Sequence, residues 1–341
     1  MNFEALRDAA RAAVSPAAWT YYQGVAGGPV ELDAQAWASV FVVPRVLRGL
    51  ADLDTSTTIG GIEVETPVLV APTAGHRMAH PDGELATAAA AAAEGALLVY
   101  SSSAAVPVTE FGAGATGPWW AQVYVMRDRG VTDDYVDRCV SAGARALVLT
   151  VDYPGALASP TFRTSTSGRV DGTPGNYPRW SWPEMSAAID PSLTPDVIGE
   201  LAVRSGLPVH VKGILHPDDA DRAVAAGAAG IVVSNHGRRQ VDGVLPTAFA
   251  LQQVVQAVAG RAVVTVDGGI RSGIDVLRAL ALGASGVGIG RPVVWGLAAA
   301  GPGGVREVIG TLTAELRQGM ASVGAGTVAD LNPTMVRAPA C

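Results

Sequence analysis

The sequence predicts a closed (β/α)8 barrel, the TIM-barrel architecture, on three observations. Eight short apolar runs recur along the chain with helical segments between them, the alternation of a parallel sheet covered on both faces. Three helical segments end alike, at Ala142-Gly143-Ala144, Ala226-Gly227-Ala228 and Leu282-Gly283-Ala284. Glycine there suits the left-handed turn that sends a helix back toward the next strand. Polar residues gather just after the apolar runs, at the end where such barrels carry their sites. A doubly wound open sheet stays possible on this pattern, but eight evenly spaced units favour closure.

In chain order the strands are expected at Pro67–Ala71, Ala96–Tyr100, Trp120–Val125, Ala146–Val151, Pro208–Val211, Gly230–Val233, Ala262–Val266 and Gly286–Ile289. Alanine-rich helices are expected at Gly83–Ala93, Val131–Ala142, Pro217–Ala226, Thr247–Val258 and Ser272–Leu282. Residues 1–60 precede the first strand and are expected to form helices outside the barrel that reach its rim. Within them Met1–Ala18 carries Glu4, Arg7, Asp8 and Arg11 among alanines, which reads as one amphipathic helix and not a signal peptide. The spacing breaks once, between Val151 and Pro208, so 153–195 is expected to be a long loop over the barrel mouth. No domain boundary shows, and residues 1–341 are read as a single domain.

Composition narrows the function. The 341 residues are 49% hydrophobic and 16% charged, with 31 acidic against 24 basic side chains and a net charge of −7. That balance disfavours both a disordered chain and a basic groove for nucleic acid. The longest apolar stretch, Leu85 to Val108, is split by Glu94, Gly95 and a serine cluster, so no membrane span is expected. Cys139 and Cys341 are too few for a disulfide framework and lack metal-ligand spacing. The expected setting is cytoplasmic, with no metal. One count stands out: Lys212 is the only lysine, which suggests a role that arginine cannot fill.

The strand ends supply the candidate site. They are Pro72-Thr73-Ala74 after the first strand, Ser101-Ser102 after the second, and Gln122 with Tyr124 in the third. Thr150 and Asp152 follow at the fourth, Lys212 at the fifth and Ser234-Asn235-His236 at the sixth. Asp267-Gly268-Gly269 closes the seventh and Gly290-Arg291 the eighth. The last two strands read as a phosphate site. Their glycines let backbone N–H groups approach phosphate oxygens, a helix beginning near Ser272 offers its N-terminus, and Arg271 and Arg291 add positive charge.

The run Ser234-Asn235-His236-Gly237-Arg238-Arg239-Gln240-Val241-Asp242-Gly243 resembles the active-site signature of the FMN-dependent α-hydroxy acid oxidases and dehydrogenases. Pro72-Thr73-Ala74, His80-Pro81-Asp82-Gly83-Glu84, Gln122-Val123-Tyr124, Thr150-Val151-Asp152, Val211-Lys212-Gly213 and Asp267-Gly268-Gly269-Ile270-Arg271 are similar to further motifs of that family in the same order. The likeness runs from about Tyr21 to about Ala300.

The resemblance implies FMN as cofactor and oxidation of an α-hydroxy acid to its 2-oxo acid. An aryl acid of the mandelate kind is one expected substrate, and dioxygen the simplest final acceptor. That chemistry needs a base, a clamp for the carboxylate and an electron acceptor. His236 fits the base, Asp152 would hold its tautomer, and Arg239 would fork onto the carboxylate. Tyr124 and Tyr21 resemble the family's substrate-contacting tyrosines, and Tyr21 is equally readable as packing beside Tyr22. By the same likeness Lys212 lies where negative charge develops on the reduced ring. Gln122, Thr150, Ser101 and the backbone near Ala74 would hold the ring, Ser234 the ring or ribityl chain, and Arg271 and Arg291 the phosphate. A homotetramer is implied by resemblance alone.

Three departures bear on this expectation. The family places an arginine soon after its Thr-Val-Asp motif, as a second cation for the carboxylate. Here Tyr153 to Ser159 holds no basic residue, and Arg163 is the candidate replacement. Without it a charged hydrogen bond of roughly 1.5–3 kcal/mol is missing, and an ester, a carrier-tethered acid or another α-hydroxy carbonyl becomes an open alternative as substrate. The insertion is short and carries Trp180 and Trp182, expected to pack on the rim or receive an aryl group. Gly75-His76 replaces a bulkier pair, with His76 within reach of the pocket, and Arg238 replaces a glycine and is expected to face solvent. Two other classes stay open: another FMN-barrel reaction, such as isomerisation or oxidative decarboxylation, and a flavin-binding subunit without catalysis.

Overall fold

The computed structural model describes residues 1–50, 52–153, 155 and 174–338. Two short strands, β1 (Phe41–Val42) and β12 (Val336–Arg337), pair antiparallel and tie the segment after the N-terminal helices to residues 336–337. A second pair, β2 (Thr57–Ile59) and β3 (Ile62–Val64), forms a hairpin. Eight parallel strands then follow: β4 (Val68–Val70), β5 (Leu98–Tyr100), β6 (Trp119–Val123), β7 (Leu147–Thr150), β8 (Val209–Ile214), β9 (Gly230–Val233), β10 (Val263–Asp267) and β11 (Gly286–Ile289).

Each barrel strand bonds its sequence neighbours, and β11 returns to β4 through Val287↔Val68, Gly288↔Leu69 and Ile289↔Val70. The sheet is therefore a closed barrel, as expected, and not an open doubly wound sheet. The three predicted helix ends are Schellman turns. Gly143 N–H bonds the Val140 carbonyl and Ala144 N–H that of Cys139; Gly227-Ala228 and Gly283-Ala284 repeat the pair on Val224, Ala223, Leu280 and Ala279. Such a pair requires a left-handed residue between its two bonds, and the three glycines have φ of 93°, 96° and 106°.

Several expectations shift. Met1–Ala18 is not one helix but parts of two, Phe3–Ala13 and Pro16–Gln23. Pro16 drives Val14 and Ser15 out of helical geometry while Ser15 caps the second helix at Ala18 N–H. The β2–β3 hairpin was not foreseen. Its Gly60-Gly61 turn has both φ positive, the hairpin geometry that glycine pairs favour. The hairpin stoppers the barrel floor, where Ile59 and Val64 pack with Leu69, Leu97, Val99, Trp120 and Val148. Strand β8 runs past Val211 to Ile214, so Lys212 lies inside a strand and not beyond its end. The 153–195 segment contains a helix, Trp182–Ala188, opened by a Ser181/Glu184 capping box.

Candidate active site

The open end of the barrel holds a cavity of about 480 Å³, within the range of small-ligand sites. Tyr21, Pro72, Thr73, Ala74, Ser101, Gln122, Tyr124, Thr150, Lys212, His236 and Arg239 line it. So do Asp267, Gly268, Gly269, Arg271, Gly290 and Arg291. Ser234 and Asp152 lie one layer behind. Arg163 falls outside the described residues.

Lys212 is 4% exposed. Its Nζ donates to Ser234 Oγ at 2.8 Å and stands 3.4 Å from Asp267 Oδ2, while Ser234 Oγ donates to Asp267 Oδ1 at 2.6 Å. The hydroxyl also accepts the His236 N–H at 3.1 Å. Ser234 is thus a bracket joining the ammonium, a buried carboxylate and the loop that carries His236. After Lys212 the pairing register shifts at Gly213, whose φ of 110° belongs to glycine. A Cβ at Gly213 would lie 2.5 Å from Asp152 Cβ. Only glycine admits that side chain.

Asp152 Oδ1 meets His236 Nδ1 at 2.9 Å. Burial works against the Asp152 charge, yet His236 and Lys212 hold its carboxyl below the usual carboxylate range. An ionised partner on Nδ1 leaves Nε2 as the nitrogen available to the cavity. His236, Gly237 and Arg238 all have left-handed backbones, φ 56°, 62° and 61°. The two non-glycine members each carry about 1–2 kcal/mol of strain, of the kind that clusters at functional sites.

Arg239 sits 5.1 Å over the Tyr21 ring and donates to the Tyr21 and Tyr22 carbonyls. Burial lowers its affinity for a proton, and Tyr21 and Tyr124 oppose that. Burial pushes both phenols up, Tyr124 well above its ordinary value, so both stay protonated donors. The Tyr21-Tyr22 pair divides its labour: the Tyr22 hydroxyl is committed to the Gly75 carbonyl at 2.7 Å, while Tyr21 faces the cavity beside Arg239.

Three sequence expectations need correction. Arg238 does not face solvent: it is 2% exposed and reaches the carbonyls of Gly27 and Pro29, partners more than 200 residues away. The helix after Ser272 does not offer its N-terminus to a phosphate. Asp275 takes the N–H groups of Arg271 and Ser272, and Glu315 takes that of Gly273. The helix beginning at Arg291, directly after Gly290, is the one that starts at the cavity. His76 is buried beneath the lining, bridging Thr73 and Thr87, and acts on the cavity only through Thr73. Trp180 stacks on Tyr177 at 5.6 Å and is packing, whereas Trp182 lines the cavity.

Tyr153 escaped the sequence reading; its ring lies 5.4 Å from that of Tyr124 and 5.9 Å from that of His236. Its only signal was its place directly after Asp152. Glu31, which pairs with Arg271 at 3.1 Å, gave none.

The cavity fits FMN by its donor set. On one wall, Gln122 accepts two bonds from Ser102 through Oε1 and donates to Thr150 through Nε2, fixing an amide and a hydroxyl beside Lys212. Strands β10 and β11, on the opposite wall, bring Arg271 and Arg291. Burial, with Arg239 and Arg271 nearby, lowers Arg291 to about 9, and an added anion would reverse that. A Cβ on Gly290 would meet only Thr73, at 3.4 Å, so the glycine borders open space. A polar ring at one wall and a phosphate at the other match these two faces.

Barrel and site together define a flavin-binding oxidoreductase. The model of the FMN-dependent dehydrogenase family matches residues 10–338, and the chain belongs to that family. A peroxisomal (S)-2-hydroxy-acid oxidase GLO4 from Oryza sativa subsp. japonica is 39% identical over 349 residues, 98% of this chain and 95% of the relative. A glycolate oxidase 1 from Zea mays is 41% identical over 312 residues, 88% and 85% of the two chains. Among solved structures, a mandelate oxidase aligns with a TM-score of 0.90 at 39% identity, covering 98% of this chain and 97% of its own. A lactate oxidase from Pediococcus acidilactici aligns at 0.93 and 32%, covering 100% and 95%.

Proposed function

We propose that the protein oxidises an (S)-2-hydroxy acid, with a side chain larger than that of glycolate, to the 2-oxo acid. The observation that carries this is one cavity holding an Asp152-oriented His236, the buried guanidinium of Arg239 and the Lys212–Ser234–Asp267 cluster. Arg239 binds the substrate carboxylate, and protonated Tyr124 and Tyr21 donate hydrogen bonds beside it. His236 Nε2 takes the hydroxyl proton, and the Asp152 carboxylate stabilises the imidazolium that results. FMN, when bound, would supply the acceptor for the α-hydrogen and the two electrons of the Cα–H bond that breaks. Gln122, Thr150, Ser101, Lys212 and the Pro72–Ala74 backbone hold its ring, and Arg271, Arg291 and the glycines at 268, 269 and 290 its phosphate. Lys212 places an ammonium where negative charge develops. Dioxygen would take those two electrons, together with the two hydrogens released as protons, and leave as hydrogen peroxide. Trp182, Met185 and Tyr153 on the cavity wall support an aryl or branched substrate. Isomerisation and a catalytically silent role gain no support from a base paired with a carboxylate clamp.

The test is anaerobic mixing of the FMN-loaded protein with (S)-mandelate, (S)-lactate and glycolate. Loss of the yellow flavin absorbance, greatest with mandelate, is expected; a flavin that none of them bleaches refutes the reading. We further infer cytoplasmic residence, which suits the free, buried Cys139 thiol, and a homotetramer. Exposed Phe41, Val46 and Leu47 offer apolar surface for assembly, and light scattering on the purified protein reads the mass.

A further inference from the structure

Four arginines converge on one stretch of chain, residues 21–31, whose first two residues line the cavity. Arg239 donates to the carbonyls of Tyr21 and Tyr22, Arg291 to those of Tyr22 and Gly24, and Arg271 pairs with Glu31. Those three line the cavity, where the function proposed above gives them anions to bind. Arg238 does not line it. Its guanidinium holds the middle of the stretch, with Nη1 on the Pro29 carbonyl and Nη2 on that of Gly27 at 3.3 Å. Its own carbonyl accepts the Ala26 N–H at 2.7 Å.

Two features argue that this grip is more than filling. Arg238 keeps a backbone of φ 61° that glycine would adopt without strain, so the side chain persists against its own conformational preference. The grip is also two-sided. A Cβ on Gly27 would lie 2.4 Å from Asp242 Cγ, and one on Gly28, itself at φ 65°, would lie 3.1 Å from Arg238 Nη2. The Gly27-Gly28 turn is therefore shaped to sit between Arg238 and Asp242, on the loop that carries His236 and Arg239.

We propose that Arg238 is a positioning residue: it fastens the 24–31 strap to the His236 loop and so seats Tyr21 and Arg239 against the substrate. The strap runs back into the helix bearing Tyr21, whose carbonyl Arg239 holds. Releasing its middle leaves both groups less confined, while the His236–Asp152 pair, anchored to β7 and β9, stays in place. Substrate capture suffers and proton abstraction does not. The proposal rests on the oxidation of 2-hydroxy acids inferred above.

The experiment compares wild type, Arg238→Gly, Arg238→Lys and Gly27→Ala as FMN-loaded proteins. Arg238→Gly removes the grip and relieves the backbone; Gly27→Ala attacks the same contact from the strap side. Both should keep wild-type flavin content and a kcat within about threefold, while KM for the hydroxy acid rises about tenfold or more. Arg238→Lys should recover part of the KM. Limited proteolysis should cut 24–31 in the two disruptive variants and not in the wild type. A KM within about twofold of wild type in Arg238→Gly overturns the proposal, even if cleavage increases, because the strap is then structural only. Unchanged protection of 24–31 in both variants overturns it too. A wild type that no hydroxy acid reduces would refute the activity instead, and the protease comparison would still decide the strap.

Discussion

Taking the protein from about pH 7 to about pH 4 should remove up to about 3 kcal/mol of folding stability through one side chain, His210. It sits in β8 two residues before Lys212, on the same inward face, and is 1% exposed. Its ring stacks on Trp120 at 4.1 Å and 22°, and neither ring nitrogen has a hydrogen-bond partner among the described residues. Burial lowers its pKa from 6.5 to about 4. Between those values the unfolded chain takes up a proton that the folded one refuses, so stability falls as pH drops through the window and is unaffected above it. A pKa difference of about 2.5, at about 1.36 kcal/mol per pH unit, sets a limit of about 3.4 kcal/mol, of which about 3 kcal/mol is reached by about pH 4 and about 2 kcal/mol by about pH 5. Urea unfolding of the FMN-loaded protein at several pH values measures it, with His210→Leu as the comparison. Burial also depresses His76, and Asp152 has a lowered pKa; both act alike in the two proteins and cancel in the difference. The wild type should lose about 2 kcal/mol more than the variant by about pH 5. Parallel curves would refute the reasoning.

Three further outcomes are expected. Asp152→Asn should bind FMN normally and lose about 10²–10⁴ in kcat, because the imidazolium loses its charged partner; steady-state rates normalised to flavin content check this, and a loss below about tenfold counts against it. Lys212→Met leaves the Asp267 carboxylate, 7% exposed, without its cation and should cost about 3–5 kcal/mol; adding Asp267→Asn should restore part, as read by urea unfolding. Gly290→Leu should fold, with an unchanged far-ultraviolet circular dichroism spectrum, yet purify nearly colourless, because its side chain enters the space beside Thr73; FMN titration by fluorescence quenching should show affinity weakened at least about tenfold.

The barrel was legible because its strands are buried on both faces, and an uninterrupted apolar run is a signal that needs no partner to be read. Gly230–Val233 and Gly286–Ile289 match their expected bounds. The hairpin at 57–64 was not legible, since three-residue strands have no periodicity to detect and Gly60-Gly61 alone does not declare one. The helix N-terminus at Ser272 shows a local signal overlooked: Ser272 and Asp275 form a capping box, which competes with any external anion for the same N–H groups. Arg238 shows the opposite case. Nothing adjacent in sequence reveals that its guanidinium is buried, because its partners arrive from residues 27 and 29. The candidate site was readable wherever a barrel strand, or the loop directly after it, delivers a side chain, as with Gln122 and Lys212 within their strands and His236 just after its own. It was unreadable where the N-terminal segment crosses over, as with Glu31.

The solitary lysine has a practical consequence. A protease specific for lysine can cut this chain at one peptide bond, the one after Lys212, and that bond lies within a barrel strand with the lysine 4% exposed. Two fragments appear only when the barrel itself opens, so fraying of surface helices is silent. The rate of that single scission is an intrinsic gauge of global opening, and its slowing by added FMN reads cofactor affinity without any catalytic assay.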